Sequence, residues 1–198
     1  LRPINWSSPA HILEKIITYE SVHEIENWDD LRRRLQPDDR RCFAFFHPAM
    51  PDEPLIFVEV ALTKGTPNSI QSVLLENRDA MAAEKADTAA FYSISNCQAG
   101  LAGISFGNSL IKTVVQHLLR ELPQIRNFVT LSPIPGLVKW LRETGNFDAD
   151  ATAETHMQLA AHYLLNAKHH RGQPHDPVAR FHLNNGALVG AVHANADK

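Results

Sequence analysis

Residues 91 to 112 join an apolar strand to an amphipathic helix through a turn that contains Gly100, Gly103 and Gly107. A second apolar strand at 128 to 132 follows the helix. Together they form a β-strand–helix–β-strand unit, whose two strands are expected to be parallel because a crossover helix returns the chain to the same end of the sheet. The unit restricts the chain to α/β architectures in which a helix covers one face of a sheet.

The glycine turn has the composition of a phosphate-binding loop. Glycine lets the backbone approach a ligand closely, and the free N–H groups at a helix start carry partial positive charge. The turn has neither the lysine–hydroxyl pair of a P-loop nor the GxGxxG spacing of a dinucleotide-binding fold. We therefore expect backbone groups between Gln98 and Gly107 to bind a pyrophosphate, with simple helix–strand packing as the alternative reason for the glycines.

Composition limits the classes of partner. The chain has 198 residues, 44% of them hydrophobic, and a formal net charge of −3, so it can bury one sizeable core but has no overall basic field for nucleic acid or anionic lipid. No apolar run approaches the roughly 18 residues that span a membrane. We expect a soluble, cytoplasmic protein that binds neither nucleic acid nor membrane.

The remaining elements follow from local patterns. Three helices are predicted besides the one after the glycine turn: one that begins at Ser8–Pro9, one in NWDDLRRRL and one over 152 to 168. A further short helix is predicted to be capped by Asp176–Pro177. The apolar runs predict a hairpin from 42 to 47 and 54 to 62, and an edge strand at 187 to 193. Arg32, Arg33 and Arg34 are interpreted as an ordinary solvated helix face.

Three groups of side chains are candidates for chemistry. From position alone, Ser132 is a strand-ending turn residue and His182 a half-buried structural histidine. Tyr92 and Tyr163 are predicted to lie in the core or the wall of a site. The other histidines, at 47, 169, 170 and 175, have no HxxxH or HExxH spacing and no paired cysteines, so no metal site is predicted.

The motifs in combination resemble a known family. FYSIS, QAGLAGISFG, LSPIPGLVKWL and DPVARFHLNNGA, together with RRCFAFFH and EPLIFVEVALT, are similar to the catalytic domain of malonyl-CoA decarboxylase. The resemblance covers nearly the whole chain. It implies the acetyltransferase superfold called GNAT, an α/β fold in which a mixed sheet with splayed parallel central strands is flanked by helices. Residues 1–198 would form a single acyl-CoA-binding catalytic domain, without the family's N-terminal helical domain and with a shortened helical insertion near 145–155 and a shortened C-terminal tail.

The resemblance also implies the site. It assigns the catalytic pair to Ser132 and His182, and the binding of the CoA pyrophosphate to Gln98, Ala99, Gly100, Leu101, Ala102, Gly103 and Gly107. The implied substrate is malonyl-CoA and the product acetyl-CoA, formed through an enolate that is then protonated. No metal or organic cofactor is expected, because the thioester itself accepts the electrons. A homo-oligomer of the full-length protein is expected from the family.

Three other functions use some of the same residues. A GNAT-type acyltransferase would need a base and an open groove for its acceptor. A serine thioesterase would need a nucleophile elbow and an acidic partner for the histidine, and LSPIP lacks that elbow. A noncatalytic CoA-binding module would keep the glycine turn and have no use for the Ser132–His182 pair.

Overall fold

The computed structural model describes residues 1–101, 106–169 and 172–197. It divides into two compact units, Leu1–Leu131 and Ser132–Lys198. The sheet lies in the first unit, and the second unit is helical in its described part. The expectation that the chain works as one catalytic domain stays a prediction.

The first unit contains a five-stranded mixed sheet with helices on it. The strands are β1 (Arg2–Ile4), β2 (Arg40–His47), β3 (Met50–Thr63), β4 (Thr88–Asn96) and β5 (Asn127–Thr130), and the helices are α1 (Ala10–Tyr19), α2 (Trp28–Leu35), α3 (Ile70–Leu74) and α4 (Phe106–Glu121). The strand order is β1-β2-β3-β4-β5, antiparallel except for the parallel pair β4 and β5. The predicted hairpin and the predicted parallel unit are both confirmed.

The parallel strands separate after a short ladder. Their register runs from Thr88 opposite Asn127 to Phe91 opposite Thr130, and Leu131 N–H donates to the Phe91 carbonyl at 2.9 Å. Beyond this point β4 continues to Asn96 and, among the described residues, pairs with β3 alone. The mixed sheet with a splayed parallel pair is therefore confirmed, and the pair lies at one end of the strand order rather than in its centre.

Apolar side chains cover both faces of the sheet and make three layers. On one face, the core joins the strands to α4 through residues that include Val58, Phe91, Leu110, Val114 and Leu118. On the other face it joins them to α1 and α2 through residues that include Ile12, Leu13, Ile16, Leu31 and Phe57. The apolar residues of each helix recur at three- and four-residue spacing, which is why each helix buries one stripe.

The second unit contains α5 (Leu137–Glu143), α6 (Ala153–Asn166) and α7 (Pro177–Asn184). The helices predicted over 152 to 168 and after Asp176 are confirmed. The edge strand predicted at 187 to 193 is wrong: these residues form no strand, and Leu188 is 92% exposed. A strand needs a neighbour to accept its backbone hydrogen bonds, and the described part of this unit contains no strand.

The arginine triplet of α2 is divided between solvent and core. Arg32 is exposed, as predicted, but Arg34 is buried. The interpretation as a solvated face is wrong for Arg34 because this residue shares the inward stripe of Leu31 and Leu35. Its guanidinium forms a forked pair with Asp30, with Nε to Oδ1 at 3.2 Å and Nη2 to Oδ2 at 2.9 Å.

Glu59 of β3 lies beside this buried arginine. Its side chain is fully buried, and Oε2 accepts a long hydrogen bond of 3.4 Å from Arg34 Nη1. Oε1 has no hydrogen-bond partner among the described residues. Burial, followed by the negative charge of Glu20, raises the pKa of Glu59 from 4.5 to about 8, although Arg34 opposes the shift. The carboxyl group is therefore mainly protonated at neutral pH.

Replacing Glu59 with glutamine should flatten the pH dependence of stability between pH 4.5 and 8. In this range the unfolded chain has released the Glu59 proton while the folded chain retains it, so the free energy of unfolding falls as pH rises, by up to about 1.4 kcal/mol per pH unit. Glutamine cannot ionise and removes that contribution. Urea unfolding at several pH values measures the slope. The exposed Glu143→Gln is the control, and an equal slope in Glu59→Gln and the parent would contradict the raised pKa.

No helix in the described ranges is both long and apolar enough to cross a membrane.

Candidate active site

Ser132 lies just past the end of β5, in the sequence Ser-Pro-Ile-Pro-Gly. The strand ends at Thr130, two residues earlier than the predicted strand. Pro133 and Pro135 have no N–H group to donate, so the segment cannot continue a ladder. The Ser132 side chain is exposed at this turn.

His182 meets Ser132 within the second unit. His182 lies on α7, and its Nε2 is 3.0 Å from Ser132 Oγ, although 50 residues separate the two in sequence. Either atom can be the donor of this hydrogen bond. The structure thus brings together the two residues that the resemblance assigned to catalysis, while their roles stay predictions.

Local sequence explains how α7 presents this histidine. Asp176 begins the helix by accepting hydrogen bonds from the backbone N–H groups of Val178 and Ala179, each at 2.9 Å, and Pro177 occupies the first turn. The helix ends with Gly186 at a φ of +88°, a conformation that favours glycine. The predicted helix start at Asp176–Pro177 is confirmed.

The environment of His182 favours the neutral imidazole. The side chain is half-buried, and burial lowers its pKa below the ordinary value of 6.5. A neutral imidazole has one donor and one acceptor nitrogen, so it can exchange a proton with Ser132 or with a bound ligand. A nearby anion would favour the protonated form and raise the pKa again.

The glycine turn begins in the first unit at Gln98. Gln98 Nε2 donates to the Pro54 carbonyl at 3.2 Å, and Ala99–Leu101 form a single turn of 3-10 helix. Gly100 is exposed, and no described atom lies within 4 Å of the position where a Cβ would stand. Gly107 is buried in the first turn of α4. Ala102 and Gly103 lie outside the described residues, so this part of the predicted pyrophosphate site has no structural account.

In residues 1–101, 106–169 and 172–197, no three His, Cys, Asp or Glu side chains are grouped so that they could hold a metal ion. Of the histidines considered at first, His47 accepts a hydrogen bond from Ala49 N–H, and His175 pairs with the Tyr163 hydroxyl at 3.2 Å. His170 lies outside the described residues. The expectation that no metal takes part stays a prediction.

One side chain near the pair has a contact that sequence reasoning missed. Asp176 was predicted only as a helix cap, yet its second carboxylate oxygen, Oδ2, accepts a hydrogen bond from Gly136 N–H at 3.3 Å. The two residues are 40 positions apart, and no local pattern signals such a contact. Tyr163, predicted as core or wall, is fully buried next to them. Tyr92, given the same prediction, is buried in the first unit.

The sequence matches one protein family along its whole length. The sequence profile described as "Malonyl-CoA decarboxylase C-terminal domain" aligns with residues 1–158 and 144–198. The chain belongs to the malonyl-CoA decarboxylase family. Its two aligned stretches overlap at 144–158, which covers the segment between α5 and α6 and the first residues of α6.

Named relatives agree with this family. Mitochondrial malonyl-CoA decarboxylase of Anser anser anser is 42% identical over 244 aligned positions, which cover 100% of this chain and 48% of the relative. The Rattus norvegicus protein of the same name is 36% identical and covered over 49% of its length. The chain spans about half the length of the curated relatives it matches.

Solved structures carry the family's fold. Malonyl-CoA decarboxylase from Rhodopseudomonas palustris has a TM-score of 0.83 at 55% identity, over 93% of this chain and 52% of that chain. The Agrobacterium vitis protein has a TM-score of 0.87 at 51% identity, with the same coverage of both chains. The loading GNATL domain of CurA from Lyngbya majuscula has a TM-score of 0.60 at 15% identity, over 96% of this chain and 85% of that chain, which shows a shared fold alone. The predicted GNAT-like fold is confirmed.

Proposed function

We propose that this chain contributes the catalytic site of a malonyl-CoA decarboxylase, which converts malonyl-CoA to acetyl-CoA and CO2. The observation that carries the proposal is the 3.0 Å contact between Ser132 Oγ and His182 Nε2 in a member of this family. The chain spans about half of its relatives, so the activity of the whole protein is part of the proposal.

The proposed reaction breaks the bond between the carboxylate carbon and C2 of the malonyl group. The electron pair of that bond moves through C2 to the thioester carbonyl, giving an enolate, and CO2 leaves. A proton from His182 is then transferred to C2, and the enolate returns to a thioester. One proton is taken from water in each turnover to restore His182, which balances the reaction. An imidazole suits this step because its pKa lies near neutrality.

Ser132 would act on the negative charge. Its hydroxyl can donate either to the carboxylate, holding it perpendicular to the plane of the thioester carbonyl, or to the developing enolate oxygen. A donor aimed at a developing oxyanion contributes about 2.7 to 4 kcal/mol to the transition state. The anionic substrate would also favour the protonated form of His182, which burial disfavours in the free protein.

We propose that the reaction uses no metal or organic cofactor. The thioester carbonyl accepts the electron pair that the departing carboxylate leaves behind. The tasks left to the protein are to orient the carboxylate, stabilise one oxyanion and donate one proton.

The pyrophosphate of CoA would be bound by backbone groups of Gln98, Ala99, Gly100, Leu101, Ala102, Gly103 and Gly107.

Replacing Gly100 with leucine should raise the KM for malonyl-CoA about tenfold or more and leave the melting temperature unchanged. Gly100 is exposed and its Cβ position is open, so the new side chain blocks the ligand without disturbing packing. Steady-state kinetics and thermal unfolding measure the two effects.

The matched control for this substitution is Gly190→Leu, since Gly190 is also exposed with an open Cβ position. It should change neither KM nor kcat. A KM in Gly100→Leu that equals the parent value would exclude this segment from CoA binding.

The direct test of the proposed function is a time course of malonyl-CoA in D2O, followed by chromatography and mass spectrometry. Decarboxylation forms acetyl-CoA with at least one deuterium in its methyl group, because the transferred proton comes from solvent. Malonate with free CoA would mean thioester hydrolysis and contradict the proposal. Malonyl-CoA that is bound but stays intact would favour the binding module. Free CoA formed only when an added amine becomes malonylated would favour the acyltransferase.

The cellular location and the assembly of the protein are not part of the proposed reaction. The curated relatives from goose and rat carry the word mitochondrial in their names. The cytoplasmic location, the homo-oligomer and the lack of binding to nucleic acid or membrane stay predictions for this chain.

A further inference from the structure

We propose that Asp176 is a positioning residue that sets the separation of Ser132 and His182 by linking the two segments that carry them. The inference rests on the proposed function of this pair. Asp176 is buried and uses both carboxylate oxygens. It lies in neither the proposed proton transfer nor the proposed oxyanion contact, so its action on the reaction would be indirect.

One oxygen of Asp176 holds the helix of His182. Oδ1 accepts from the N–H groups of Val178 and Ala179, at 2.9 Å each, and so fixes the first turn of α7. His182 follows six residues after Asp176 on this rigid element. The direction of the imidazole therefore depends on how the first turn is anchored.

The other oxygen holds the turn of Ser132. Oδ2 accepts from Gly136 N–H at 3.3 Å, and Gly136 closes the Ser-Pro-Ile-Pro-Gly turn and begins α5. One carboxylate thus joins the two segments, although they are 40 residues apart in sequence. A rigid link of this kind suits a pair that must remain within hydrogen-bond distance, because a 1 Å displacement can cost about 100-fold in rate.

Packing around Gly136 leaves no room for adjustment. A Cβ at this residue would overlap the Tyr163 hydroxyl and lie 3.3 Å from Asp176 Oδ2. Tyr163 is itself fully buried, with its hydroxyl 3.2 Å from His175 Nδ1 and its ring 5.2 Å from that of Trp140 on α5. The backbone of Gly136 has a φ of −84°, so it is the lack of space, and not backbone conformation, that requires glycine.

Asp176→Asn should keep the cap of α7 and remove the contact with Gly136 N–H. Asparagine is a good helix cap, but it has one acceptor oxygen, and its amide group cannot accept from Gly136 N–H. We expect a melting temperature near that of the parent, a kcat for malonyl-CoA lower by about tenfold or more with KM unchanged, and a crystal structure in which Ser132 Oγ and His182 Nε2 lie beyond 3.5 Å.

The matched control is Thr152→Ala. Thr152 caps α6 by accepting from Thr155 N–H at 3.2 Å and has no described contact with Ser132 or Gly136. Its loss should lower the melting temperature by a few degrees and leave kcat unchanged. Two outcomes would overturn the proposal. One is an Asp176→Asn variant with the parent's kcat and the parent's Ser132–His182 distance. The other is a loss of kcat that follows the loss of melting temperature equally in Asp176→Asn and Thr152→Ala.

A second pair of variants tests the link from the other side. Gly136→Ala should lower kcat, because the methyl group pushes the Ser132 turn away from Asp176. Gly136→Ala with Tyr163→Phe should restore part of it, since removing the hydroxyl leaves contacts of 3.3 Å. Tyr163→Phe alone is the reference for this double variant, because the hydroxyl also contacts the Asp176 carboxylate. Gly136→Ala with the parent's kcat would overturn the proposal. If the parent forms no acetyl-CoA, the proposed function fails, while the crystallographic distances still decide whether Asp176 positions the pair.

Discussion

Replacing His182 with glutamine should lower kcat for malonyl-CoA by about 10²- to 10⁴-fold, the usual contribution of a positioned general acid. Glutamine has nearly the length of histidine and can keep a hydrogen bond to Ser132, but it cannot deliver a proton at neutral pH. The KM should change only slightly, because the proposed CoA contacts lie on backbone groups elsewhere. Steady-state kinetics at several pH values would measure both constants.

His156→Gln is the matched control, since His156 is also a half-buried histidine of the second unit, with Nε2 3.2 Å from the Asp148 carbonyl. It should keep the parent's kcat. Ser132→Ala, alone and combined with His182→Gln, tests whether the pair works as a unit: the double variant should then be hardly slower than the slower single variant. Parent-like turnover in His182→Gln would remove His182 from the mechanism.

Replacing Arg34 with alanine should destabilise the first unit by about 3–5 kcal/mol, the usual cost of breaking a buried ion pair from one side. The Arg34 side chain is 4% exposed, and besides Asp30 it donates to the carbonyl oxygens of His23 and Glu24 at 2.7 and 2.9 Å. Its removal breaks the forked contact with the buried Asp30 carboxylate, which keeps only a long contact of 3.5 Å to Arg33 Nη2 among the described cations. Urea unfolding measures the loss.

Arg32→Ala on the same helix provides the comparison. Arg32 pairs with Asp29 at 2.9 Å, but its side chain is 50% exposed, and an exposed ion pair contributes about 0–1 kcal/mol. Arg34→Lys should fall between the two, because an ammonium group cannot reproduce the forked contact with Asp30. Equal losses in Arg32→Ala and Arg34→Ala would mean that the α2 arginines are alike, as the sequence suggested.

Much of the fold could be predicted because short periodic patterns of apolar residues indicate its helices and strands. The apolar stripe of α1 is buried at Ile12, Leu13 and Ile16, and the β2–β3 hairpin lies where its apolar runs predicted it. The strand predicted at 187 to 193 is absent because a strand does not depend on its own local pattern alone. An apolar run records a preference for burial, but a strand also needs a partner, and partners are chosen by long-range pairing.

The sequence by itself determined the α/β class, because local periodicity can be read in order, and its motifs determined the family. The resemblance to that family, and not the positions of the two residues, made Ser132 and His182 the predicted pair. Only the tertiary structure decided that Arg34 is buried while Arg32 is not, and that Asp176 joins Gly136 to the helix of His182. Both outcomes depend on contacts between distant segments. Such contacts form when packing excludes water and leaves each buried charge or N–H group in need of a partner.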